Sequence, residues 1–155
     1  MNNDKLFKNN VKISGNGIQP IVFGHGYGCD QKMWRFITPA FEKDFKVVLF
    51  DHVGSGKSDL RAYNFQKYSS LKGYAEDLID ILIELELRDV VFVGHSVSSI
   101  IGIIAAGERP DLFEKLVLVG PSPCYINDGD YLGGFNKDDI DELFKDTLRK
   151  CYAND

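Results

Sequence analysis

No apolar run in the 155 residues approaches the ~18 needed to cross a membrane. The opening Met1-Asn2-Asn3-Asp4-Lys5 is polar and lacks the apolar stretch of a secretory signal. Cysteine is scarce: Cys29, Cys124 and Cys151 are odd in number and show no C-x-x-C spacing. That speaks against a disulfide or zinc framework, so no metal is expected and a cytoplasmic setting is. Basic clusters and basic–aromatic runs are missing as well, and the net charge is −5. Nucleic-acid binding is excluded on that ground. Internal repeats and low-complexity stretches are also absent. What remains is an ordinary globular balance, 44% apolar and 26% charged, in a chain long enough to bury a core.

The most informative segment is Gly94-His95-Ser96-Val97-Ser98. It follows the apolar run Val90-Val91-Phe92-Val93 and precedes Ile100-Ile101-Gly102-Ile103-Ile104-Ala105-Ala106, which reads as a buried helix. A serine at a sharp strand-to-helix turn is held in a strained conformation with its hydroxyl exposed. Small residues two positions away on each side, here Gly94 and Ser98, let the chain turn. Glycine is usual at both places, so Ser98 is a small departure. Ser96 is therefore the candidate nucleophile; an ordinary buried turn serine is the alternative.

A second segment bears on the same chemistry. Ile21-Val22-Phe23 reads as a strand and runs into Gly24-His25-Gly26-Tyr27-Gly28. Acyl transfer needs two backbone N–H donors aimed at the developing oxyanion, one after the nucleophile and one from an early strand–helix loop. Val97 N–H and Tyr27 N–H are the candidates. A glycine-rich turn with no ligand is the plainer reading.

These segments resemble the α/β-hydrolases, and among them the subgroup of the bacterial stress regulator RsbQ and the plant strigolactone and karrikin receptor hydrolases. The resemblance is carried by residues 25–31, 50–59 and 94–98, by Gly120-Pro121-Ser122-Pro123-Cys124-Tyr125-Ile126-Asn127-Asp128, and by Tyr131-Leu132-Gly133-Gly134-Phe135. It implies a mostly parallel sheet with helices on both faces, reaching past the sixth-strand region to the start of a helical cap. Residues 1–120 would be the N-terminal part of the core, and 121–155 an incomplete cap. It implies no cofactor. It also implies a serine hydrolase of small hydrophobic esters or lactones, with a regulatory role in stress signalling. A ligand-sensing receptor acting through a signalling partner protein, or a truncated product without function, are the alternatives. Tyr27, Tyr125 and Phe135 match positions that line the apolar substrate pocket; for the last two, plain core packing is the alternative.

The resemblance also implies an aspartate and a histidine after the cap, and the sequence stops at Asp155. Its three histidines are His25 in the glycine loop, His52 past the third strand, and His95 beside the nucleophile but directed to the opposite side. None reads as a base for Ser96. A serine hydroxyl without a positioned base is a weak nucleophile, so the 155-residue chain is expected to be an N-terminal piece of a hydrolase and nearly inert alone.

The coarse pattern alternates strand and helix. Val11-Lys12-Ile13 is a strand turned by Gly15-Asn16-Gly17 into the strand at Ile21, and Lys46–Phe50 and Leu116–Val119 are further strands. Asp30 should cap a helix from about Gln31 to Phe41, and Ser70 another carrying Leu71, Tyr74, Ala75, Leu78, Ile79, Leu82 and Leu85 on one stripe. Asn136 should cap a cap-region helix with Ile140, Leu143, Phe144, Leu148 and Cys151 on one side. Left uncovered, that side predicts self-association. Gly54-Ser55-Gly56-Lys57-Ser58 looks like the tail of a phosphate-binding loop, but Asp51 stands where that motif needs its first glycine.

Overall fold

The computed structural model describes residues 4–142. Five strands form one sheet: β1 (Lys12–Ser14), β2 (Gln19–Gly24), β3 (Phe45–Leu49), β4 (Val90–His95) and β5 (Phe113–Val119). Their order is β1-β3-β2-β4-β5. β1 is antiparallel to β3, and the other four run parallel. Unbroken apolar strands such as Ile21-Val22-Phe23 and Val90–Val93 suit a parallel sheet covered on both faces. The glycine turn leads from β1 into β2, but the two are not neighbours in the sheet. Gly15 and Gly17 instead let the chain cross the start of β3. A Cβ on either would lie about 2 Å from the carbonyl oxygen of Phe45 or Asp44.

In the same unit as the sheet, the described residues form α1 (Asp4–Lys8), α2 (Leu71–Glu84) and α3 (Val97–Glu108). One core joins Leu78, Ile81 and Leu82 of α2 and Ile101 and Ala105 of α3 to Val22, Val48 and Phe92. The expected stripe on α2 faces this core: Ala75, Leu78 and Leu82 are buried in it and Leu71, Tyr74, Ile79 and Leu85 pack against it; Ile81 and the carboxylate residue Asp77 are buried as well. Ser70 stands at the N-cap with extended backbone, but its side chain makes no capping bond.

The other face carries Phe23, Trp34, Val47 and Val93. Its cover differs from the expected helix over residues 31–41. Two 3-10 turns, Gln31–Trp34 and Thr38–Ala40, stand there instead. Asp30 does cap the first, accepting from Lys32 N–H at 2.7 Å. Pro39 explains the break, because it lacks an N–H and its ring collides with the carbonyl four residues back.

The chain divides into two compact units, Met1–Pro121 and Ser122–Asp155. In the second, the Asp128–Tyr131 turn is closed by paired backbone bonds, and residues 137–142 are helical. Leu143, Phe144, Leu148 and Cys151 of the expected cap helix lie outside the described residues. No helix among the described residues is long and apolar enough to cross a membrane, and none of their His, Cys, Asp and Glu side chains form a group able to hold a metal ion.

Candidate active site

Because β2, β3, β4 and β5 run in parallel, their carboxyl ends meet at one edge, where ligands bind in such sheets. Ser96 joins the end of β4 to α3 at φ +55° and ψ −119°. A non-glycine residue there costs on the order of 1–3 kcal/mol and persists only where its surroundings fix it. Hydrogen bonds and close packing fix it here. Ser96 N–H donates to Val119 O at 2.8 Å, and Ser99 N–H donates to Ser96 O at 2.9 Å. The Ser99 hydroxyl donates to Gly94 O at 2.6 Å. A Cβ on Gly94 would lie 2.6 Å from Ser98 O, so only glycine fits. Ser96 is half-buried, not sealed in the core.

The glycine loop after β2 lies over this bend. A Cβ on Gly26 would stand 2.5 Å from His95 Nδ1 and 3.5 Å from Ser96 Cβ. Cys29 N–H donates to Gly26 O at 3.2 Å and closes the turn. Tyr27 sits at its exposed crest, and Val97 is the first residue of α3. The first N–H groups of a helix have no acceptor within it. The structure thus gathers Ser96, Val97 and the Tyr27 loop at one edge. Tyr125 and Phe135 belong to the second unit, where Phe135 N–H donates to Tyr125 O at 3.1 Å.

Two histidines are spent on structure. His52 N–H donates to His25 Nε2 at 3.0 Å, so the His25 proton sits on Nδ1, 2.9 Å from Gly26 O. The Ser98 hydroxyl donates to His25 O at 2.5 Å. It must then accept from His52 Nε2–H, 2.7 Å away. Burial, and next the neighbouring His25, push the His52 imidazole down to about 3; burial lowers His25 too. A ring that stays neutral and gives its one proton to Ser98 is no base for Ser96. No periodicity or spacing pointed to this Ser98–His52 pair. The one clue was Ser98 itself, standing where glycine is usual.

The phosphate-loop decoy resolves as well. Burial would raise the Asp51 carboxyl, but bonds from Asn10 Nδ2 and from the Lys57 and Gln31 amides outweigh it and hold the group below its ordinary value. Those donors stand 2.7, 2.9 and 2.8 Å away. The Lys57 amide that a phosphate would want is turned onto the chain's own carboxylate.

A profile of the α/β hydrolase fold matches residues 19–154. A karrikin insensitive 2 receptor of Petunia hybrida is 49% identical over 143 residues, which cover 92% of this chain and 53% of that protein. A strigolactone esterase of Arabidopsis thaliana is 42% identical over 135 residues, covering 87% and 51%. Among solved structures, a hydrolase from Oleispira antarctica superposes with a TM-score of 0.86 at 48% identity, over 92% of this chain and 52% of that one. The chain thus spans about half the length of the curated relatives it matches. Sheet order, strand–helix bend and sequence agree: the chain belongs to the α/β-hydrolase fold family.

Proposed function

We propose that this chain carries the nucleophile half of a serine hydrolase acting on small hydrophobic esters or lactones. Ser96 attacks the carbonyl carbon, and the Tyr27 and Val97 N–H groups receive the oxyanion. The observation that carries the reading is the backbone of Ser96, strained at φ +55° at the sheet edge with the Gly26 turn laid over it. Strain of this kind collects at functional sites. Such a site needs a base to take the serine proton, and His25 and His52 are otherwise engaged, so base and acid come from other residues. Tyr27 is proposed to face the substrate, which suits an apolar ligand better than a sugar or phosphate. The division into core to residue 120 and cap from 121 is part of the same proposal, as is a cytoplasmic setting.

The test is prolonged labelling with excess aryl fluorophosphonate at raised pH, where solvent hydroxide takes the proton that no side chain here is placed to take, read by peptide mass spectrometry. Covalent mass is expected on the peptide holding Ser96 and nowhere in Ser96→Ala. Label on another serine, or equal label in the variant, would remove the nucleophile assignment. Hydrolysis of a p-nitrophenyl ester by the 155-residue chain should stay near background, because a missing base costs several orders of magnitude.

A receptor reading has its own support, since the similar Petunia protein bears a receptor's name. There, ligand capture would act through a signalling partner protein, of the kind RsbQ-like stress regulation implies. A Ser96→Ala variant that keeps its biological output while losing ester cleavage would favour it over plain hydrolysis.

A further inference from the structure

We propose that Ser98 and His52 are positioning residues: together they lock the glycine loop so that Tyr27 N–H is aimed at the oxyanion site. The inference rests on the hydrolase reading above and adds two residues to it. Three chain segments meet in one closed circuit of hydrogen bonds. Ser98 comes from the first turn of α3, His25 from the end of β2, and His52 from the loop after β3. All three side chains are buried. His52 N–H holds His25 Nε2, which leaves the only His25 proton on Nδ1 and directs it to Gly26 O. The peptide joining Gly26 to Tyr27 is planar and trans, so its N–H points opposite to its C=O. Holding Gly26 O against the His25 ring therefore turns Tyr27 N–H the other way, out of the circuit.

Ser98 fixes the preceding peptide by donating to His25 O, and His52 Nε2–H saturates the Ser98 oxygen. Space has been left for the pair. A Cβ on Gly24 would come within 2.8 Å of Ser98 Oγ. The His52 ring is clamped edge-on by Phe50 and Tyr74, with centroids 5.2 and 5.6 Å away, and lies 4.5 Å from the His25 ring. Ser98 therefore does more than replace a glycine beside the nucleophile. It ties the nucleophile's own helix to the loop that carries the second oxyanion donor.

The experiment uses the full 155-residue chain, labelled with ¹⁵N, and phenylboronic acid as the probe of a tetrahedral adduct on Ser96. Wild type should show His25 neutral with its proton on Nδ1, His52 neutral with its proton on Nε2, and a protected Cys29 amide. His52→Met should speed exchange at Cys29 about tenfold while core amides such as Val22 and Val48 keep their rates. The same variant should weaken boronate binding about tenfold, one lost positioning contact being worth that order. His52→Gln, whose amide nitrogen reaches the Nε2 position, should restore both. Ser98→Ala should repeat the loss. The proposal falls if Cys29 exchange and boronate affinity are alike in wild type, His52→Met and Ser98→Ala. It falls equally if core protection drops with Cys29 in both variants, which would make the pair a folding element only. Wild type taking no boronate, with the histidine and Cys29 signatures present, would sink the hydrolase reading and leave the lock standing.

Discussion

The two buried histidines make stability depend on pH in a definite direction. His52 titrates near 3 in the fold against 6.5 as a free side chain. Between those values the unfolded chain binds the extra proton, so stability is complete above pH 6.5 and falls as the pH drops toward 3. The limiting slope is about 1.4 kcal/mol per pH unit for each such histidine. His25 adds in the same sense. Denaturant melts at pH 7, 6 and 5 should show a steady loss for wild type and a shallower one for His52→Gln. An unchanged slope in that variant would mean that His52 is solvated. Asp51 acts lower on the scale. Its depressed carboxyl stabilises above the ordinary carboxylate value and lets go as the pH falls beneath it. Ser96, by contrast, is a residue whose strain was legible from its neighbours. Gly94, the strand before it and the helix after it leave the backbone few other ways to turn.

Among the elements, α3 sits close to the sheet because of one missing side chain. A Cβ on Gly102 would lie 2.5 Å from two ring atoms of Phe92, itself fully buried. Alanine favours a helix over glycine by about 1 kcal/mol, but overpacking a core costs about 1–3 kcal/mol. Gly102→Ala should therefore lower the thermal midpoint by a few degrees; a rise would show that Phe92 yields without cost. α1 was not foreseen in the sequence, and its anchoring explains why. Five residues make no stable helix alone. This one is held by Lys8, whose ammonium lies 2.6 Å from the buried Asp77 carboxylate, and by Lys5 paired with Asp80. Lys67 and the Tyr68 hydroxyl complete the shell of Asp77 at 2.7 and 2.8 Å. Asp77→Asn leaves two ammonium groups facing a neutral amide. Removing one partner of a buried pair costs about 3 kcal/mol, so chemical denaturation should show a drop of that order, with protease cutting first near α1. Equal stability would mean that the two lysines reach water freely.

At the scale of the whole sheet, β5 is an edge strand among the described residues, with apolar side chains on both of its faces. Val117, Leu118 and Val119 are 45, 36 and 41% exposed, and an exposed apolar edge is a pairing site for another chain. Sedimentation at rising concentration should show self-association that Leu118→Lys reduces. A single monomer at every concentration would contradict it. The expectation of association first rested on the apolar side of a cap helix; β5 supplies an argument within the described residues.

The amino-acid order determined what local chemistry can determine. Apolar β-branched runs made β2, β3, β4 and β5, the stripe from Leu71 to Leu85 made α2, and Gly94 with Ser96 made the bend. The matched family follows from the same stretches. Which strand lies beside which, and which polar groups find each other, was left to the tertiary structure. β1 pairs with β3 and not with the strand that follows it. Pro39 breaks the helix that Asp30 was expected to cap. Ser98, His25 and His52 meet only because three strand ends converge at one edge of a parallel sheet. A hydrogen bond between residues 46 positions apart leaves no period in the chain, since its geometry exists only after the sheet has formed.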